Sequence, residues 1–99
     1  MSLRIEVDHE SIAAFCARKG IRRLSFFGSV LRDDFGPESD VDVLVQFEPG
    51  STPSLFGLAR MQRELSEIVG RQVDFKTPGF LSRYIRDSVV AGALEEYVA

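Results

Sequence analysis

The sequence is short of several residue types that would each announce a chemistry. Its single cysteine, Cys16, rules out an internal disulfide. Its setting, AAFCARKG, is helical and apolar, which favours a buried structural thiol over a nucleophile. The single histidine, His9, has no second His or Cys to complete a zinc site. No apolar run approaches the roughly 20 residues of a membrane helix. No signal peptide is visible, so the chain reads as cytoplasmic, with no membrane partner. Basic charge is also scarce. Lys and Arg number 12 against 15 Asp and Glu, giving a formal charge of −3 and a pI of about 5.1. A nucleic-acid coat needs a basic surface, which argues against direct nucleic-acid binding.

Enough apolar material remains for one core. Hydrophobic residues make up 44% of 99 residues, eight of them Phe. That is the profile of a folded chain and of one domain, 1–99.

Local signals give the order of elements. Asp8 can cap a helix over about 9–19 that Gly20 ends, with Ile12, Phe15 and Cys16 on one stripe. Residues 21–27 are rich in β-branched and aromatic side chains and read as a strand. GSV then opens a short helix, about 29–33, followed by the loop DDFGPESD. From Val41 to Phe47 the pattern alternates, Val41, Val43, Val45 and Phe47 against Asp42, Leu44 and Gln46, which predicts a half-covered strand. Ser54 can cap a helix over about 55–69, with apolar positions from Leu55 to Val69, and Gly70 stops it. RQVDF reads as a third strand. Thr77-Pro78 then opens a last helix, about 79–90 and in its longest reading to the chain end. The expected class is α/β (α+β): a small mixed sheet of three to four strands with helices packed on one face. The second and third strands flank a crossover helix and could pair in parallel.

The chemistry is carried by acids. Residues i and i+2 of a strand share a face, so Asp40 and Asp42 are neighbours, and Asp74 reaches the same place if its strand pairs alongside. Carboxylates so close resist sharing a site without cations. An all-oxygen donor set favours Mg²⁺, with Mn²⁺ as the alternative. Two such ions can clamp an in-line phosphoryl displacement. Gly28 follows a strand and lets backbone approach a ligand closely. Free N–H groups after it, with the Ser29 hydroxyl, suit a phosphate. Arg32 could add a planar fork. Together these residues point to a nucleoside triphosphate and a metal, with Asp74 placed to orient an acceptor hydroxyl or take its proton.

The stretch GSVLRDDFGPESDVD fits Gly-Ser, ten residues, Asp-x-Asp. Chance would supply that spacing in roughly one chain in 10³ of this length. It resembles the signature of the nucleotidyltransferase superfamily with the polymerase-beta-like palm. Within it the chain looks like a minimal nucleotidyltransferase, the antitoxin of HEPN/MNT toxin–antitoxin pairs. The resemblance runs from about Ile21 to Tyr97. RQVDF matches the third-acid strand, and SRYIRDSVVAGALEEYV is similar to the family's last helix. It implies Asp40, Asp42 and Asp74 as catalytic metal ligands, and Gly28, Ser29 and Arg32 as nucleotide-binding residues. It also implies two Mg²⁺ ions, ATP as donor, and AMP transfer to a tyrosine of a HEPN-type toxin. One departure is Asp33-Asp34 after Arg32, where a glycine and an acid are commoner.

Each residue has a plainer reading alone. Asp40 and Asp42 would be solvated acids at a strand start, Asp74 an edge-strand charge and Gly28-Ser29 a turn. The basic stretch ARKGIRR is ordinarily a solvated helix end that the dipole favours. At the level of function, two alternatives stand beside the enzyme. One is a silent antitoxin that neutralises its partner by covering it. The other is nucleotidyl transfer to a small molecule or an RNA end, the RNA version being disfavoured by the pI. A palm of this size has no second domain to cover the base, so a partner would complete the site. Nucleotide preference, the acceptor and the oligomeric state are not legible.

Overall fold

The computed structural model describes residues 5–31, 35–77 and 92–99. Helix α1, His9–Lys19, is capped by Asp8, whose Oδ1 accepts from the Glu10 and Ser11 amides at 3.1 and 3.2 Å. Strand β1, Ile21–Phe27, runs into a 3₁₀ turn, Gly28–Leu31. Strand β2 is Val41–Phe47, helix α2 Leu55–Val69, strand β3 Val73–Lys76 and strand β4 Leu94–Val98. The strands form one mixed sheet in the order β3-β2-β1-β4. β1 is antiparallel to both β2 and β4, while β2 and β3 are parallel, as the crossover helix between them requires.

One face of the sheet carries the core. Ile12, Phe15 and Cys16 of α1 and Leu65 of α2 pack with Leu24, Phe26, Val41, Val43, Val45 and Val73, all fully buried. Phe15 meets Phe75 edge to face at 6.4 Å between ring centres, joining α1 to β3. Val30 and Leu31 sink into the same core and anchor the turn after β1.

The expectation differs from the structure at three places. The last helix does not reach the chain end, because Leu94–Val98 is a strand paired with β1. Tyr97, on that strand, packs against the core. Residues 78–91, where the rest of the expected helix falls, lie outside the described residues. The second face of β2 is only partly open: Leu44, read as facing outward, is 3% exposed, and its cross-strand neighbour Ser25 is 5% exposed. In α2, Leu55 and Phe56 stand in solvent at 75% and 82% exposure, so the buried stripe starts further along the helix.

Both sheet ends are tied to helices by polar side chains. The Val73 amide donates to Ser66 Oγ and the Phe75 amide to Gln62 Oε1, each at 2.9 Å. α2 thus occupies the outward N–H groups of the edge strand and blocks that edge to a further strand. Gln62→Ala is expected to cost about 1 kcal/mol by leaving the Phe75 amide to water, read as a lower urea midpoint. At the other end His9 Nδ1 lies 2.5 Å from Glu96 Oε2 of β4, and that carboxylate's side chain is only 7% exposed. The Glu96 hydrogen bond and charge hold the His9 pKa above its ordinary value. A raised pKa means that the folded chain holds the proton more tightly. The stabilisation is therefore complete below the unfolded-state value near 6.5 and is lost as pH rises through the raised one. The wild-type thermal midpoint should fall across that window relative to His9→Ala, which lacks the group.

Three side chains of the basic stretch from the last turn of α1 into β1 pair with acids. Arg18 and Lys19 pair with Glu64 of α2 at 3.3 and 3.4 Å, and Arg23 with Glu95 of β4 at 3.1 Å. Cys16 is fully buried, and burial pushes its thiol up to about 12, so it is packing material and no nucleophile.

Candidate functional site

The register of the parallel pair decides where the acids meet. Asp42 of β2 lies directly opposite Asp74 of β3, and Leu44 opposite Lys76. Val41 and Val73 point into the core, so Asp42 and Asp74 project from the other face, half-buried side by side. Asp40 precedes β2 by one residue and is exposed. The lead into β2 is fixed by the Val41 amide, which donates to the carbonyl of Gln72 at 2.8 Å.

Gly28 comes next to the same acids through the antiparallel pair. Phe27 is the register partner of Asp42, and Gly28 is the residue after it. Gly28 has φ +77°, and a Cβ there would lie 2.5 Å from Asp42 Oδ2. Backbone and carboxylate are therefore in direct contact, and only a glycine leaves room for it. The Ser29 backbone continues the 3₁₀ turn. Arg32, with Asp33 and Asp34, lies outside the described residues.

The side chains do not form a finished cage. Among the described residues no group of three His, Cys, Asp or Glu side chains is disposed to hold a metal ion. The Asp74 carboxylate is turned to Lys76 Nζ, 3.3 Å away and two residues along the same strand face. Sequence reasoning set Asp74 on that face but missed Lys76, although the same period-two rule puts it there. The donors nevertheless suit a hard divalent cation in kind: they are carboxylate oxygens from adjacent strands beside a backbone with no side chain. A cavity of about 550 Å³ lies along β4, lined by Ile5, Val7, His9, Leu94 and Glu96 among others, and none of the three acids borders it.

Against known proteins, the family model described as nucleotidyltransferase domain matches residues 9–99. A protein of Methanocaldococcus jannaschii, MJ0435, named as a candidate protein adenylyltransferase, is 35% identical over 93 residues, covering 94% of this chain and 98% of its own. A solved structure of a candidate minimal nucleotidyltransferase superposes with a TM-score of 0.72 at 36% identity, over 87% of this chain and 86% of that one. A chain from a solved complex of tri-AMPylated Shewanella oneidensis HEPN toxin with its MNT antitoxin shares the fold. Its TM-score is 0.64 at 15% identity, over 92% of this chain and 70% of that one.

Proposed function

The chain belongs to the nucleotidyltransferase-domain family, and from that premise we propose that it transfers AMP from ATP to a HEPN-type toxin partner. The acceptor is a side-chain hydroxyl, that of a tyrosine, and the transfer silences the toxin. One observation carries the reading: the Asp42 carboxylate lies against the Gly28 backbone on one side and is the register partner of Asp74 on the other. Nucleotidyl transfer needs that juxtaposition of anionic ligands and a close-approach turn.

Asp40, Asp42 and Asp74 would hold Mg²⁺, as two ions or with Mn²⁺ substituting. When bound, the metal neutralises phosphate charge and aligns donor and acceptor oxygens. Gly28, with no side chain of its own, and the Ser29 turn that follows it would bind the triphosphate, and Arg32 is assigned a supporting contact. Asp74 takes the acceptor's proton. The acceptor oxygen then bonds the α-phosphorus, the bond from that phosphorus to the bridging oxygen breaks, and pyrophosphate leaves with the electron pair. The proton passes from Asp74 to water. Such chemistry needs ATP, and so a cytoplasmic setting.

Lys76 bears on the order of events. Its ammonium sits on Asp74 where a cation would have to act. An exposed pair of this kind is worth at most about 1 kcal/mol, so it yields to a divalent ion. Lys76→Met should therefore lower the half-saturating Mg²⁺ concentration, by no more than about fivefold. Titrating transfer rate against Mg²⁺ checks it, and an unchanged midpoint would remove Lys76 from the site.

The same ion pair favours a second reading. An acid neutralised by its own strand suits an antitoxin that acts by covering its partner. One experiment separates the two. The purified chain is mixed with Mg-ATP and a candidate HEPN-type partner, and the partner is weighed. Mass rising in AMP steps, and not rising with Asp40→Ala, supports the enzyme. Unchanged mass within a tight complex supports the cover.

A further inference from the structure

Arg71 lies between Gly70, the residue that caps α2, and β3, and no motif singles it out. Its Nη2 donates to the carbonyls of Gly36 at 2.7 Å, Ser39 at 2.9 Å and Pro37 at 3.2 Å. Its guanidinium carbon stands 4.6 Å from the centre of the Phe35 ring. The loop it grips is already folded on itself, since the Ser39 amide donates to the Gly36 carbonyl and the Gly36 amide to Ser39 Oγ. Three carbonyl dipoles aimed at one point repel each other unless a cation sits there. A planar cation also explains the ring beneath it.

The consequence falls on Asp40. The peptide before Asp40 is held through the Ser39 carbonyl by Arg71, and the peptide after it through the Val41 amide by the Gln72 carbonyl. A residue has only two soft backbone dihedrals, and those two peptide planes define both. Adjacent residues of the β3 lead-in therefore fix the direction of the Asp40 Cα–Cβ bond. The side chain itself is exposed and gains no such fixing from the core.

We propose that Arg71 is a positioning residue, which holds the 35–39 loop so that the Asp40 carboxylate is aimed at the divalent cation. The assignment rests on the nucleotidyl-transfer reading. Its test uses the full chain with Mn²⁺ and AMP-PNP, with bound Mn²⁺ followed by electron paramagnetic resonance. Thermal midpoints and amide exchange of residues 35–41 are measured alongside. Arg71→Ala should weaken Mn²⁺ binding about tenfold, within the range for residues that orient a ligand, and speed exchange at Ser39 and Val41. Added guanidinium at low millimolar concentration should restore part of the affinity, which it would not do for a chain that is merely less stable. Arg71→Lys should fall between, since an ammonium can reach carbonyls but not stack. Should Arg71→Ala fail to fold, Phe35→Leu removes the stacking ring alone and should shift Mn²⁺ affinity in the same direction. Wild-type binding with equal affinity in the variants overturns the Arg71 assignment alone. No Mn²⁺ binding by the wild type overturns the nucleotidyl-transfer reading and this assignment with it.

Discussion

Asp42→Asn is expected to lower nucleotidyl transfer by on the order of 10³-fold while the chain still folds. The amide matches the carboxylate in size, so the contact with Gly28 is kept. Val41 and Val43 on either side stay buried, and the pairing with β1 and β3 is backbone pairing that the substitution does not touch. What is lost is charge at the point where two strands and the Gly28 turn meet. A neutral amide is a poor ligand for a hard dication, and several kcal/mol of charge stabilisation go with it. The measurements are the partner's mass after incubation with Mg-ATP and the thermal midpoint of the variant. Retained transfer would take Asp42 out of the chemistry. A variant that transfers nothing yet still neutralises its partner would move the function from catalysis to cover.

Elements with local punctuation were legible in the sequence. α1 and α2 lie within the bounds that Asp8, Gly20, Ser54 and Gly70 suggest, and β1 and β2 within those of their apolar patterns. β4 was not legible. Ala, Leu and Glu dominate ALEEYVA, and these are strong helix formers. The strand exists because β1 offers an unpaired edge, a contact from the far end of the chain. The burial of Leu44 was hidden for the same reason, since alternation assigns a face but not what covers it. At the site, parity set Asp42 and Asp74 on one face, but only the register makes them direct neighbours. Arg71 gave no sign because its partners are backbone carbonyls, which carry no sequence signal. An arginine just past a helix cap and just before a strand, facing a Gly-Pro loop, was the one clue available.

Gly28→Ala should damage both stability and transfer, for separable reasons. At φ +77° an L side chain is strained, at a cost of about 1–2 kcal/mol. The new methyl would also sit 2.5 Å from Asp42 Oδ2, closer than real contacts allow. β2 cannot retreat, because β1 and β3 hold it from both sides. The carboxylate must rotate off the turn instead, and misplacement by about 1 Å costs on the order of 10²-fold in rate. Gly50 supplies the control. Its φ is +81°, yet nothing lies within 4 Å of the position a Cβ would take. Gly50→Ala should therefore show the backbone cost alone, with transfer kept. In the Asp42→Asn background, Gly28→Ala should cost little further activity, because both changes act on the same carboxylate, while its stability cost persists. Urea unfolding and transfer rates on the four variants decide the matter. If Gly28→Ala matches Gly50→Ala in both measurements, the close approach of turn and carboxylate is a packing detail with no part in the reaction.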